Sequence, residues 1–115
     1  MITIWHNPRC SKSRQTLALI EASCAEVSIR RYLDDPPTLA EVEAAKNALG
    51  LRPIEMMRSG EARFKELGLS EESDDAALMR AMVENPILIE RPIVLKGTNA
   101  VIGRPPETVA ALLAE

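Results

Sequence analysis

The feature that most constrains the fold is a strand–helix–strand pattern at the start of the chain. Residues 2–5 form a short apolar, β-branched run that the Asn-Pro pair at 7–8 terminates. Apolar residues between 17 and 24 then recur at helical spacing, which predicts a helix over 11–23, and residues 27–31 alternate as a second strand does. This order within about thirty residues predicts a βαβ unit with parallel strands and a right-handed crossover.

The rest of the chain predicts a helical block, a hairpin and a last helix. Helical periodicity returns between about residues 38 and 85, which predicts an all-helical insert. Apolar runs at 93–95 and 100–102 predict a hairpin, and the apolar stripe after Pro105 predicts a final helix. The predicted fold is α/β and thioredoxin-like: βαβ, helical insert, then ββα, with a four-stranded mixed sheet flanked by helices in a single domain over 1–115.

Size and composition exclude several classes of protein. A chain of 115 residues with 46% apolar and 27% charged residues has the makeup of one globular domain, so disorder is not expected. Fourteen Lys and Arg against seventeen Asp and Glu give a net charge of −3, and aromatic residues are only 3%, which disfavours nucleic-acid binding. No apolar run reaches membrane-spanning length and no signal peptide is evident, so we expect a soluble cytoplasmic protein with reduced thiols.

Cys10 is the first candidate for chemistry. It stands between the first strand and the first helix, at about the N-cap position, where free N–H groups and the helix dipole favour a thiolate. Arg9, Lys12 and Arg14 add positive charge, and the Ser13 hydroxyl is placed to donate to the sulfur. Such surroundings lower the pKa of a thiol. The alternative is a buried structural cysteine, which these polar neighbours disfavour, so we expect Cys10 to be reactive and not buried.

Cys24 is not a suitable partner for Cys10 in a disulfide. The sequence Cys-Ser-Lys-Ser from residue 10 lacks the second cysteine of a C-x-x-C pair. Fourteen residues of helix would place Cys24 roughly 20 Å from Cys10, whereas a disulfide requires Cα atoms within about 7 Å. Cys24 also falls on the apolar stripe of the helix, so we expect it in the core. An oxidised adduct on Cys10 therefore needs a thiol from outside the protein.

His6 is the single histidine and lies at the end of the first strand. It is placed either to tune the Cys10 thiolate or to hold the loop, and a solvent-facing strand residue is the alternative. Two distant cysteines and one histidine do not make a four-ligand zinc site, so no metal is expected.

Five segments in the same order along nearly the whole chain resemble the glutaredoxin-dependent arsenate reductase family. They are H-N-P-R-C-S-K-S-R at 6–14, Y-L with P-P-T at 32–38, E-L-G-L at 66–69, N-P-I-L-I-E-R-P-I-V at 85–94 and G-R-P-P-E at 103–107.

The resemblance implies reduction of arsenate to arsenite on a thioredoxin-like fold, with no bound cofactor and glutathione as the thiol co-substrate. In that family the cysteine after H-N-P attacks arsenate, glutathione then binds the arsenic, and glutaredoxin removes the sulfur partner through a mixed disulfide. Cys10 takes the place of the nucleophile and His6 that of the nearby histidine. Ser13 matches the serine that hydrogen-bonds the thiolate.

The resemblance also implies an oxyanion site. Arg58, Arg91 and Arg104 match the three arginines that bind the oxyanion and stabilise the arsenic–thiol intermediate. Guanidinium forks suit the oxygens of a phosphate-like anion. We expect the three to converge on the Cys10 sulfur. Thioredoxin-like folds place a cis-proline at the start of the third strand, which assigns a cis bond to Pro92.

Two other functions remain open at this point. One is a transcriptional regulator of related fold that binds RNA polymerase, although its redox-sensing members carry a C-x-x-C motif and Ser13 stands at the second position here. The other is a glutathione-dependent reductase of a different substrate.

Overall fold

The computed structural model describes all residues, Met1–Glu115, in two compact units. The first comprises residues 1–35 and 91–115, and the second comprises residues 36–90. The predicted insert, at about 38–85, corresponds to the second unit. None of the helices has the length and apolar character needed to cross a membrane.

The first unit contains the predicted sheet. Its strands are β1 (Ile2–Trp5), β2 (Val27–Arg30), β3 (Ile93–Lys96) and β4 (Asn99–Ile102). They are ordered β2-β1-β3-β4, with β1 parallel to β2 and antiparallel to β3. This mixed sheet, with β1 and β3 at its centre, confirms the α/β, thioredoxin-like prediction.

Two helices complete the first unit: α1 (Ser11–Ala22) and α5 (Val109–Leu113), the latter after a 3₁₀ turn at Pro106–Thr108. Alternation along β1 directs Ile2 and Ile4 to one face of the sheet. There they form an apolar core with residues of α1, β3 and α5: Ile20, Val94, Val109 and Leu112. This core fixes the position of α1 relative to β1, and therefore the loop that carries Cys10.

The prediction that Cys24 belongs to the core is wrong. The helix α1 ends at Ala22, two residues before Cys24, and Ser23 is its C-cap. Cys24 then adopts a left-handed backbone conformation with φ of 62°, and its side chain is exposed. Because the chain has left the helix, the helical spacing that placed this side chain on the apolar stripe no longer applies.

The second unit is helical, with α2 (Leu39–Leu49), α3 (Ala62–Glu66) and α4 (Asp75–Glu84), and 3₁₀ turns at Pro53–Met56 and Pro86–Leu88. Thr38 and Glu41 form a reciprocal capping box at the start of α2, and Gly50 ends it in a left-handed conformation. An isolated bridge joins Met57 to Ile89. The bridge brings the segment that carries Arg58 next to the end of the unit.

Candidate active site

The loop between β1 and α1 places Cys10 at the N-cap of α1. Its φ and ψ of −95° and 122° are extended, and its carbonyl accepts the first helical bond from the N–H of Arg14 at 3.0 Å. The N–H of Cys10 donates to the carbonyl of Asn7 at 3.0 Å, which folds the loop into a tight turn. The sulfur therefore lies at the end of α1 where unpaired N–H groups favour negative charge.

Two arginines that are distant in sequence act on the Cys10 sulfur. Nη1 of Arg104 lies 3.8 Å from Sγ, and the same nitrogen donates to the carbonyl of Arg91 at 3.3 Å. The guanidinium of Arg91 also acts on the sulfur, because its hydrogen-bonding and its positive charge both lower the pKa of Cys10. Both guanidinium groups therefore act on the same sulfur. The carbonyl of Arg91 accepts a hydrogen bond from Arg104 and so helps to hold its guanidinium in place.

Each of these arginines precedes a cis-proline. The Arg91–Pro92 bond is cis, the isomer that the resemblance implies, and the Arg104–Pro105 bond is also cis, which was not predicted. The N–H of Gly103 donates to the carbonyl of Pro92 at 2.9 Å. This bond ties the segment that ends β4 to the segment that begins β3, and so sets Arg91 and Arg104 side by side.

Cys10 is more buried than expected, with only 9% of its surface exposed. The expectation of an exposed cysteine was based on its sequence neighbours, which are polar. Sequence neighbours do not register residues from the other end of the chain, such as Arg104, whose Nη1 lies 3.8 Å from the sulfur.

The pKa of Cys10 is nevertheless lower than that of an ordinary thiol. Burial is the largest single influence and raises the pKa. Four smaller influences together outweigh it: the backbone N–H of Ser13, the hydrogen bond and the positive charge of Arg91, and the backbone N–H of Lys12. The fold therefore favours a thiolate at a position that is partly shielded from water.

His6 and Ser13 form a buried pair beneath the loop. Nδ1 of His6 and Oγ of Ser13 are 2.6 Å apart, and the N–H of Asn7 donates to the same hydroxyl at 3.0 Å. The Ser13 hydroxyl is thus engaged by His6 and Asn7, and it is the backbone N–H of Ser13 that lowers the pKa of the sulfur. This differs from the expectation of a hydroxyl donor.

The pKa of His6 is below its usual value. Burial is the main cause, followed by the positive charges of Arg31 and Arg14, while Glu21 acts weakly in the opposite direction. The imidazole is therefore neutral near pH 7, and it orients Ser13 without contributing a positive charge.

Arg58 lies in the second unit, where two carboxylates bind it. Its Nη1 pairs with Glu61, and its Nε lies 3.9 Å from a carboxylate oxygen of Glu90. Its side chain is 27% exposed. Its convergence on Cys10 stays a prediction, and sequence reasoning did not foresee its carboxylate partners.

No group of three or more His, Cys, Asp or Glu side chains is gathered in a way that would hold a metal ion. The chemistry that this geometry provides is that of a partly shielded thiolate beside two guanidinium groups, a combination suited to attack on an oxyanion.

Comparisons with known proteins show which proteins this chain resembles. Residues 5–112 match the model of the ArsC family. The chain is 46% identical over 114 residues to the arsenate reductase of Neisseria meningitidis serogroup A, covering 97% of both proteins. It is 42% identical over 114 residues to that of Haemophilus influenzae, covering 97% of this chain and 98% of the other. The structure of an arsenate reductase from Vibrio cholerae superposes with a TM-score of 0.91 at 45% identity, covering 96% and 95% of the two chains.

Proposed function

The chain belongs to the ArsC family of arsenate reductases, and from this premise we propose that it reduces arsenate to arsenite with glutathione and glutaredoxin as the thiol reductants. The observation that carries the proposal is the Cys10 sulfur, which lies 3.8 Å from Nη1 of Arg104 and has a pKa that Arg91 helps to lower.

In the proposed first step the Cys10 thiolate attacks the arsenic of arsenate, and one oxygen leaves as water after protonation. Arg91 and Arg104 bind the remaining oxygens, because planar guanidinium groups donate two parallel hydrogen bonds to such anions. Arg58 is the third proposed oxyanion ligand. His6 and Ser13 act by positioning the loop, so that the N–H groups of α1 stay directed at the sulfur.

In the following steps glutathione displaces a second oxygen as water and forms a sulfur–arsenic bond. The glutaredoxin thiolate then attacks the glutathione sulfur. The bond between the glutathione sulfur and arsenic breaks, and its electron pair reduces As(V) to As(III). The mixed disulfide of glutathione and glutaredoxin leaves. Water finally releases arsenite and returns the Cys10 thiol. Two thiols are oxidised to one disulfide, arsenic gains two electrons, and one water is released overall.

The test is arsenate-dependent NADPH oxidation, with glutathione, glutaredoxin and glutathione reductase omitted one at a time. We expect no turnover without either glutathione or glutaredoxin. A full rate with thioredoxin and thioredoxin reductase in place of glutathione, glutaredoxin and glutathione reductase would overturn the proposed reductants. Arsenate reduction itself would then still stand.

The proposed oxyanion site is tested in the same assay with Arg91→Lys and Arg104→Lys. Lysine keeps the charge but loses the planar fork, so each variant should lower turnover at least about tenfold. Arg52→Lys is the control, because Arg52 pairs with Asp75 on the exposed surface of the second unit. Normal turnover in both site variants would contradict the assignment.

A further inference from the structure

A cavity of about 320 Å³ lies against the loop that carries the nucleophile. It is lined by four residues of that loop, His6 to Arg9, and by three residues that follow β2: Arg31, Leu33 and Asp34. Its volume is within the range of small-molecule sites. Arg9 directly precedes Cys10, and consecutive Cα atoms are about 3.8 Å apart, so the cavity begins one residue from the nucleophile.

The charged groups of this cavity have no partners within the protein. Neither the guanidinium groups of Arg9 and Arg31 nor the carboxylate of Asp34 forms an ion pair. The adjacent residues in the same segment behave differently, since Arg30 pairs with Asp35 at 3.4 Å. The positive charge of Arg31 nevertheless acts on the neighbouring His6, whose pKa it helps to lower. The cavity therefore presents two unpaired positive charges and one unpaired negative charge.

We propose that this cavity binds the thiol co-substrate, a peptide thiol with two carboxylates and one ammonium group, of which glutathione is the example. Arg9 and Arg31 would each bind one carboxylate, and Asp34 would bind the ammonium group. The inference rests on the proposed function, which requires a thiol from outside the protein beside Cys10. The thiol of glutathione lies between its two carboxylates along the chain, so with both ends bound the sulfur would lie within the cavity, beside the loop that carries Cys10.

Binding is measured without arsenate, by NMR titration of ¹⁵N-labelled protein with S-methylglutathione, whose blocked sulfur cannot react. Arg9→Gln and Arg31→Gln should each raise the dissociation constant at least about fivefold, because each removes a charge-assisted hydrogen bond. Asp34→Asn should raise it about twofold or more. The matched controls are Arg30→Gln and Asp35→Asn, which alter the neighbouring residues and their mutual pair, and both should bind like the unaltered protein.

The inference is overturned if the unaltered protein does not bind S-methylglutathione, or if either arginine variant binds as tightly as the controls. In turnover assays the same arginine variants should raise the KM for glutathione by a larger factor than the KM for arsenate. Arginine-dependent binding without arsenate reduction would support this site and refute the proposed function. Glutathione-dependent arsenate reduction with an unchanged KM for glutathione in both arginine variants would support the proposed function and refute this site.

Discussion

At the residue scale, the lowered pKa of Cys10 results from opposing influences on one sulfur. Burial alone favours the neutral thiol, whereas two backbone N–H groups and Arg91 favour the thiolate. The influences that lower the pKa come from different parts of the chain, namely the start of α1 and Arg91. Removal of one of them leaves burial less opposed, so the pKa should rise.

This balance is tested by the rate of alkylation with iodoacetamide across pH, in a Cys24→Ala background that leaves one thiol. The midpoint should lie below that of an ordinary thiol, because only the thiolate reacts. Arg91→Gln should move the midpoint to higher pH and slow alkylation at neutral pH, since it removes a hydrogen bond and a charge. Arg52→Gln should leave the profile unchanged. An unchanged midpoint in Arg91→Gln would refute this account of the pKa.

At the element scale, the end of β4 lies in close contact with the middle of α1, at Thr16. A Cβ atom on Gly103 would lie 2.6 Å from Oγ1 of Thr16 and 2.8 Å from Cγ of Pro92. Only glycine fits between these side chains, and the next residue is Arg104. A larger residue at position 103 is therefore expected to shift the backbone that carries Arg104.

Gly103→Ala should reduce the free energy of unfolding by about 1–3 kcal/mol, the usual cost of overpacking, and should also lower turnover by displacing Arg104. Urea denaturation measures the first effect and the coupled assay the second. Gly60→Ala is the matched control, because no heavy atom lies within 4 Å of its added Cβ. Equal stability of the two variants would show that the contact does not constrain this region.

In the second unit, an ion pair between Arg58 and Glu61 affects the proposed oxyanion site. Glu61, just before α3, pairs with Arg58, so an oxyanion must compete with a carboxylate for that guanidinium. Glu61→Gln should lower the KM for arsenate about two- to fivefold, the factor expected for a partly exposed ion pair. Glu66→Gln is the control, since Glu66 pairs with Arg63 at the same spacing. An unchanged KM in Glu61→Gln would indicate that Arg58 does not bind the substrate.

At the scale of the whole molecule, the sequence predicted those features that residues close together in the chain determine. The order of strands and helices, the capping box at Thr38 and the N-cap position of Cys10 follow from periodicity and short-range hydrogen bonding. Cys24 was misplaced because a helix end is decided within one turn, and periodicity does not register where the chain leaves the helix.

Tertiary contacts account for what the sequence did not predict. The contact of Arg104 with the Cys10 sulfur and with the carbonyl of Arg91 joins residues that lie far apart along the chain. The pairing of Arg58 with Glu61 and Glu90 likewise requires the folded second unit. The second cis bond joins Arg104 to Pro105, and the first joins Arg91 to Pro92. This shared Arg-Pro sequence was the only local signal for the second bond.

The proposed mechanism requires Cys10 as the nucleophile and gives the other cysteine no part in the reaction. The most direct measurement is the rate of arsenate-dependent NADPH oxidation by Cys10→Ser and Cys24→Ser, with glutathione and glutaredoxin present. A serine hydroxyl is far less nucleophilic than a thiolate, so Cys10→Ser should have no detectable turnover. Cys24 is exposed at the end of α1 and its replacement should leave the rate unchanged. Full activity in Cys10→Ser would contradict the account.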